Sequence, residues 1–207
     1  REREILRELG QRKAEIAALK IQEERRELWT ALNSRRVVKP MILIYQEPWH
    51  ELEFGGELRL QCEDRFLRGV ENGLRQEFYR WRHHQGDMVV EPVVQSPLAI
   101  HDTGFGIEED AEIRRTDPRS GIVSRHFHIQ IAHEEDTAKI KDPVVTHDRE
   151  ASEERYQALC DVFDGILRVE KSGPANLPFA PWDFLVRLTG VQEILTDLAE
   201  RPEYDHK

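Results

Sequence analysis

Hydrophobic residues recur at helical spacing over several long segments of the chain. Between residues 65 and 84 the apolar positions step by four, four, four and three, which predicts a helix with one apolar stripe. The stripe consists of Phe66, Val70, Leu74, Phe78 and Trp81. We interpret these side chains as core packing, and the same reasoning predicts helices over 148–163, 182–188 and 191–200.

The first 32 residues are dense in Glu, Arg, Lys, Ala and Leu, contain no proline and predict one or two exposed helices. Their apolar positions repeat at roughly helical spacing, but the repeat breaks within about three heptads, which is short for a sustained supercoil. A helix that packs against the rest of the protein is therefore favoured over a coiled coil.

Short apolar runs between turn signals predict strands buried on both faces. They cover residues 41–45, 88–94 and 166–170. A helix lies between the first two, so the order is strand, helix, strand, the signature of a parallel βαβ unit. The pattern predicts an α/β fold.

The stretch 104–131 departs from this pattern and predicts a half-exposed β-hairpin inserted into the α/β framework. A turn over 117–121 precedes residues that largely alternate between apolar and polar. One side carries Val123, Phe127, Ile129 and Ile131, and the other carries Ser124, His126, His128 and Gln130.

Charge and cysteine content narrow the class of protein. The chain has 207 residues and a formal net charge of -10, with 30 Lys and Arg against 40 Asp and Glu, which argues against a nucleic-acid partner. It contains no run of the roughly 20 apolar residues that a bilayer span needs. The two cysteines, Cys62 and Cys160, are far apart and suit a structural role in a reducing compartment, so we expect a cytoplasmic protein.

In βα architectures the reacting groups lie on loops at the carboxyl ends of the strands. Three such loops hold candidate residues, because histidine beside a carboxylate can transfer protons near neutral pH. The candidate catalytic residues are Glu47, His50, Glu91, His101 and Asp183. The candidate substrate-binding residues are Trp49, Asp102, Phe179 and Trp182.

Two further histidines are weak candidates for binding a metal. His126 and His128 share one face of a predicted strand, a spacing that can chelate zinc, although a solvent-facing strand produces the same pattern. The sequence lacks the glycine-rich phosphate loops, the Gly-x-Ser-x-Gly elbow and the His-Glu-x-x-His helix. Nucleotide hydrolysis and α/β-hydrolase chemistry are therefore not expected.

Motifs near the C-terminal end of the chain resemble the middle of the uroporphyrinogen decarboxylase-like superfamily. They are Gly173-Pro174, Pro181-Trp182-Asp183, the run from Gly190 to Leu198, and Arg201-Pro202-Glu203. The resemblance implies an incomplete (β/α)8 TIM-type barrel, of which this chain forms the front half. Residues 1–36 would be an N-terminal helical lead, residues 37–207 the half barrel, and residues 104–131 the inserted hairpin.

The same resemblance implies transfer of a methyl group from a small methylated or methoxylated compound to a corrinoid protein or a thiol, with zinc as a possible cofactor. Decarboxylation of a uroporphyrinogen-type substrate is an alternative. In the decarboxylase the loop after the first strand carries an arginine for the substrate carboxylates, whereas here residues 46–50 contain none. An acidic loop would repel a polycarboxylate, so methyl transfer is favoured.

Two other interpretations remain open from the residues alone. The chain could be a binding or accessory protein that kept the barrel and lost the chemistry, or a complete small α/β binding domain. The half-barrel interpretation predicts an open sheet edge and therefore a homodimer or aggregation, whereas the complete domain predicts cooperative unfolding.

Overall fold

The computed structural model of the chain shows two compact units of mixed α and β structure. The first unit comprises residues 1–98 and 149–173, and the second comprises residues 99–148 and 174–207. The residues that the structure describes are 1–44, 47–52, 55–84, 86–118, 123–174 and 180–202.

Four α-helices and a 3-10 turn over Trp49–Glu51 are described in the first unit. The α-helices are α1 (Glu2–Ala17), α2 (Lys20–Asn33), α3 (Arg65–His83) and α4 (Arg149–Phe163). Helix α1 contacts both α3 and α4, and its Leu6 is completely buried with Leu159 and Phe163. The N-terminal segment is therefore a packing helix, as the broken heptad pattern indicates.

No helix within the described ranges is both long and apolar enough to cross a membrane.

Helix α3 forms where the apolar stripe predicts it. The side chain of Asp64 caps its first turn by accepting hydrogen bonds from the backbone N–H groups of Phe66 and Leu67, at 3.0 and 2.9 Å. Leu74 and Phe78 are buried in the core, and the other apolar residues of the stripe pack against it. Basic residues in the last turn complement the negative end of the helix dipole.

A two-stranded parallel sheet lies against α4. Strand β1 (Val93–Pro97) pairs with β6 (Arg168–Ser172), with Val93 opposite Arg168 and Pro97 opposite Ser172. Helix α4 directly precedes β6 and contacts both strands. The β-helix-β unit of this protein is thus closed by α4.

Strand β1 begins five residues later than the apolar run 88–94 predicts. Side chains of α2 bind the backbone upstream of it: Trp29 donates to the Asp87 carbonyl at 2.7 Å, and Gln22 accepts from the Val90 N–H at 2.9 Å. Pro92 has no N–H for a ladder, and pairing starts after it. The backbone of 87–90 is therefore bound by a helix and not by a strand.

The strand predicted at 41–45 is wrong over its described part, residues 41–44. The segment lies outside every sheet, and Ile42 and Leu43 are 57% and 53% exposed. Its backbone is hydrogen-bonded to Asp87, whose N–H donates to the Ile42 carbonyl at 2.7 Å and whose carboxylate accepts from the Ile42 N–H at 3.0 Å. One residue of pairing does not make a strand.

The described part of the second unit contains two antiparallel pairs, two short α-helices and a 3-10 helix over Glu134–Lys139. Its strands and α-helices are β2 (Ala99–Asp102), β3 (Ala111–Arg114), β4 (Ser124–Phe127), β5 (Val145–Asp148), α5 (Pro181–Thr189) and α6 (Val191–Glu200). Strand β3 pairs with β4, so a hairpin is confirmed, but its strands end at Phe127 and do not reach Ile129 and Ile131 as predicted. The two predicted C-terminal helices are confirmed by α5 and α6. The pairing of β2 with β5 was not predicted.

The expected incomplete TIM-type barrel is wrong. The described residues form three separate two-stranded sheets, of which only β1 with β6 is parallel. A barrel needs successive parallel strands side by side in one sheet. Here the described part of the first predicted strand, residues 41–44, belongs to none of these sheets, and an antiparallel pair follows β1 in place of another parallel strand.

Candidate functional site

A cavity of about 1120 Å³ lies in the first unit along one face of α3. This volume is slightly above the roughly 300–1,000 Å³ that small-molecule sites occupy. Its walls are largely apolar and come from α3, from β1 and from the segments before β1. The apolar lining residues are Leu43, Ile44, Phe66, Val70, Leu74, Met88, Val89, Val93, Val94 and Pro97.

Two glycines of α3 face this cavity. A Cβ atom built on Gly69 or Gly73 would meet no other atom within 4 Å, so neither glycine is required by packing. A glycine inside a helix costs about 1 kcal/mol relative to alanine. By contrast, a Cβ atom on Gly10 of α1 would lie 2.8 Å from the ring of Phe163, so that glycine is required by the core. Gly69 and Gly73 leave room in the cavity.

Charged side chains complete the lining, with four cations against two carboxylates. One cation is neutralised inside the cavity, since Lys13 lies 2.9 Å from Glu77 and is 8% exposed. The second carboxylate, that of Asp64, is engaged by the N-terminus of α3. Although the whole chain is acidic, this cavity carries more positive than negative groups.

The loop after the first predicted strand, described from residue 47, is bound to α3 through Arg80, which lines the cavity. The Glu47 side chain is 3% exposed, and its carboxylate accepts hydrogen bonds from both Nε and Nη2 of Arg80. The distance from Nη2 to Oε2 is 3.0 Å. Nδ1 of His84 lies 3.6 Å from the same carboxylate. The Arg80 guanidinium also lies 5.0 Å from the ring centroid of Trp49. Glu47 and Trp49 therefore hold a cavity residue in place and do not line the cavity themselves.

The two other candidates in the first unit lie outside the cavity lining. Nε2 of His50 is 3.3 Å from the carboxylate of its neighbour Glu51. Glu91 is an exposed side chain that lies 3.7 Å from Arg26 of α2. The structure thus brings Glu47 and Trp49 together around one arginine, whereas His50 and Glu91 pair with Glu51 and Arg26.

The remaining candidates belong to the second unit. His101 and Asp102 lie on β2 and are exposed, and the Asp102 carboxylate accepts a hydrogen bond from the Gly104 N–H at 2.8 Å, as in a turn. Trp182 and Asp183 lie exposed in the first turn of α5. Phe179 lies outside the described residues.

The histidine pair of the hairpin has acidic neighbours, since Glu112 lies opposite His126 in the strand register. The ring centroids of His126 and His128 are 6.4 Å apart, and Nδ1 of His128 is 3.2 Å from the Asp110 carboxylate. Across the described parts of the chain, no group of three or more His, Cys, Asp or Glu is arranged to hold a metal ion. These residues do not fit a zinc site.

A buried carboxylate stabilises the turn that precedes α3. Glu71 is fully buried and accepts hydrogen bonds from the backbone N–H groups of Gln61 and Cys62 and from Arg75. Burial, and then the hydrogen bond with Glu71, raises the pKa of Cys62 to about 12. A thiol that stays protonated at neutral pH is unreactive, which agrees with the predicted structural role of Cys62.

The residues that line the cavity were missed by sequence reasoning. Arg65, Arg80 and Arg155 look like ordinary surface cations of helices, since nothing in the sequence shows that they share a cavity. Gly69 and Gly73 did carry a signal, because two glycines four residues apart on the apolar face of a helix destabilise it unless the space they leave is used.

Searches against protein-family models, curated proteins and solved structures found no match for this chain.

Proposed function

We propose that the chain provides the substrate cavity of an enzyme that acts on a small organic molecule. The observation that supports this most is the cavity along α3, with an apolar wall, two glycines that leave space, and cationic groups. An apolar pocket with a few polar groups is the usual form of a small-molecule site.

The proposed reaction is the one that the family resemblance implies. A methyl group passes from a methylated or methoxylated compound to an acceptor, with the bond from the methyl carbon to the donor heteroatom breaking as the bond to the acceptor forms. A corrinoid carried by a partner protein, or a thiol, would supply that acceptor. The chain's own part is to bind and orient the donor away from water. We place this activity in the cytoplasm, without nucleic acid as a partner.

Decarboxylation is the second candidate, and one observation favours it. The argument against a polycarboxylate substrate was the acidic loop at residues 46–50, but the Glu47 carboxylate is buried in a two-pronged ion pair with Arg80. A neutralised carboxylate does not repel an anion as a free one does. Release of carbon dioxide from a polycarboxylate, without methylation of a thiol, would favour this candidate.

Filling the cavity tests the proposal. Gly73→Leu adds a side chain where a Cβ atom meets no neighbour, so the fold is expected to persist while ligands are excluded. Asn72→Leu is the matched control, because it adds the same side chain to the neighbouring position of α3, outside the cavity lining. Binding of methylated and methoxylated compounds is measured by calorimetry, and methylation of a thiol by NMR.

We expect the unchanged protein and Asn72→Leu to bind the same compounds, and Gly73→Leu to bind them at least tenfold more weakly. Circular dichroism verifies that both variants keep their helices. Equal affinities for all three proteins would mean that the cavity is not the binding site. Absence of binding by any compound would reject the proposal.

A further inference from the structure

Two of the four cations in the cavity have no acidic partner among the described residues. Lys13 pairs with Glu77, and Arg80 pairs with Glu47. Arg65, at the first position of α3, and Arg155 of α4 make no ion pair and no hydrogen bond within the described ranges. The Arg155 guanidinium lies 5.8 Å from the ring centroid of Phe66 and is half-buried.

These two arginines lie at the same end of the cavity. Arg65 and Phe66 are adjacent in the first turn of α3, and Phe66 is the ring that Arg155 approaches. A half-buried guanidinium without a partner has lost part of its hydration and gains little in return. Its planar fork of donors matches a planar carboxylate, which it can bind through two parallel hydrogen bonds.

The chemistry at this end of the cavity favours a carboxylate over a phosphate. Phosphate sites at helix N-termini use free backbone N–H groups, but here the Asp64 side chain already accepts from those of Phe66 and Leu67. The same Asp64 carboxylate lines the cavity and would repel a dianion more strongly than a monoanion.

The rest of the cavity offers an apolar surface. Val70, Met88 and Val93 form walls, and Gly69 and Gly73 present a flat strip of helix backbone with open space above it. A ligand that fills this volume has an apolar body long enough to extend from the first turn of α3 along at least two turns.

We propose that the cavity takes an organic monocarboxylate with a flat apolar body, whose carboxylate is bound between Arg65 and Arg155 and whose body lies along Gly69 and Gly73. This inference rests on the proposed function, because it names the class of substrate for the same cavity. It makes Arg65 and Arg155 the specificity-determining residues.

Three probes that share a 4-methoxyphenyl body test the charge requirement: 4-methoxybenzoate, 4-methoxybenzamide and 4-methoxyphenyl phosphate. Calorimetry on the 207-residue chain is expected to give an affinity for the benzoate at least tenfold above those for the other two. Arg155→Gln and Arg65→Gln are each expected to weaken benzoate binding at least tenfold and to leave the amide unchanged. Arg155→Lys, which keeps the charge and loses the planar fork, is expected to give an intermediate loss.

Arg149→Gln is the matched control, because Arg149 is an exposed arginine of α4 outside the cavity lining. It should bind the benzoate as the unchanged protein does. An equal loss in Arg149→Gln would show a general effect of net charge and would overturn the inference. A preference for the phosphate ester would overturn it too.

Two outcomes separate this inference from the proposed function. If the benzoate and the amide bind equally well and both are lost in Gly73→Leu, the cavity is the site and the carboxylate inference is rejected. If no probe binds to the unchanged protein and no methylated compound does either, both proposals are rejected.

Discussion

Replacing the buried Glu71 with glutamine is expected to destabilise the first unit by about 3 kcal/mol. Oε2 of Glu71 accepts from the backbone N–H groups of Gln61 and Cys62 at 2.9 and 2.8 Å, and Oε1 accepts from Nε of Arg75 at 2.8 Å. Glutamine keeps one acceptor oxygen and places an NH₂ group where the second oxygen was. That group then faces a donor, so at least one buried N–H loses its partner.

The magnitude follows from the bonds that are lost. A buried donor without a partner costs about 1–3 kcal/mol, and a hydrogen bond to a charged group contributes about 1.5–3 kcal/mol. Part of this is recovered through the remaining carbonyl oxygen of the glutamine, which gives the estimate of about 3 kcal/mol. The variant should keep the same helices, because α3 is capped independently by Asp64.

The effect is expected to depend on pH. Burial by itself raises the pKa of Glu71, but the hydrogen bonds from Cys62, Gln61 and Arg75 outweigh it and hold the pKa below its ordinary value. A carboxyl group whose pKa is lower in the folded state contributes its stabilisation fully above the unfolded pKa of about 4.3 and loses it as the pH falls through the folded pKa. The difference between the two proteins should therefore shrink as the pH is lowered below about 4.

Urea titration followed by tryptophan fluorescence measures the free energy of unfolding. Three of the four tryptophans, Trp29, Trp49 and Trp81, belong to the first unit, so the signal reports mainly on it. The matched control is Glu153→Gln, the same change at an exposed ion pair with Lys171, which should leave the urea midpoint unchanged. A loss below about 1 kcal/mol at pH 7, or a difference that stays constant to pH 3, would refute the reasoning.

Two further predictions concern the same unit. Gly10→Ala places a Cβ atom 2.8 Å from the ring of Phe163 and should lower the free energy of unfolding by about 1–3 kcal/mol, whereas Gly73→Ala should raise it by about 0.5–1 kcal/mol. Thermal unfolding of both variants measures these changes, and equal shifts in the two would contradict the packing difference. In the folded protein at pH 8, iodoacetamide should alkylate the half-buried Cys160 and spare Cys62, because burial raises the pKa of Cys62 to about 12. Peptide mass spectrometry measures the labelling of each cysteine, and equal labelling would contradict this prediction.

The sequence by itself determined the helices of this protein. An α-helix is closed by hydrogen bonds between residues four apart, so the apolar stripe from Phe66 to Trp81 and the Asp64 cap contain nearly all the information that α3 needs. The hairpin of β3 and β4 was also predictable, because its strands are neighbours in the chain and a turn signal at 117–121 lies between them.

Only the tertiary structure decided which strands pair and where the cavity lies. A strand needs a partner strand, and the local sequence does not specify which one. The apolar run at 41–44 has no partner strand among the described residues, whereas β1 pairs with β6 across 70 intervening residues, Leu98 to Leu167. The side chains of α2 took the backbone upstream of β1, which moved that strand toward the C-terminus.

The cavity depends on contacts of the same long-range kind. Arg65 and Arg155 are 90 residues apart, and only the packing of α3 and α4 within one unit lets both line the same space. The spacing of apolar and polar residues along one segment predicts the secondary structure of that segment. It does not indicate which distant segment contributes the other residues of a site. For this reason the sequence determined the helices, and the fold decided the strand partners and the residues of the cavity.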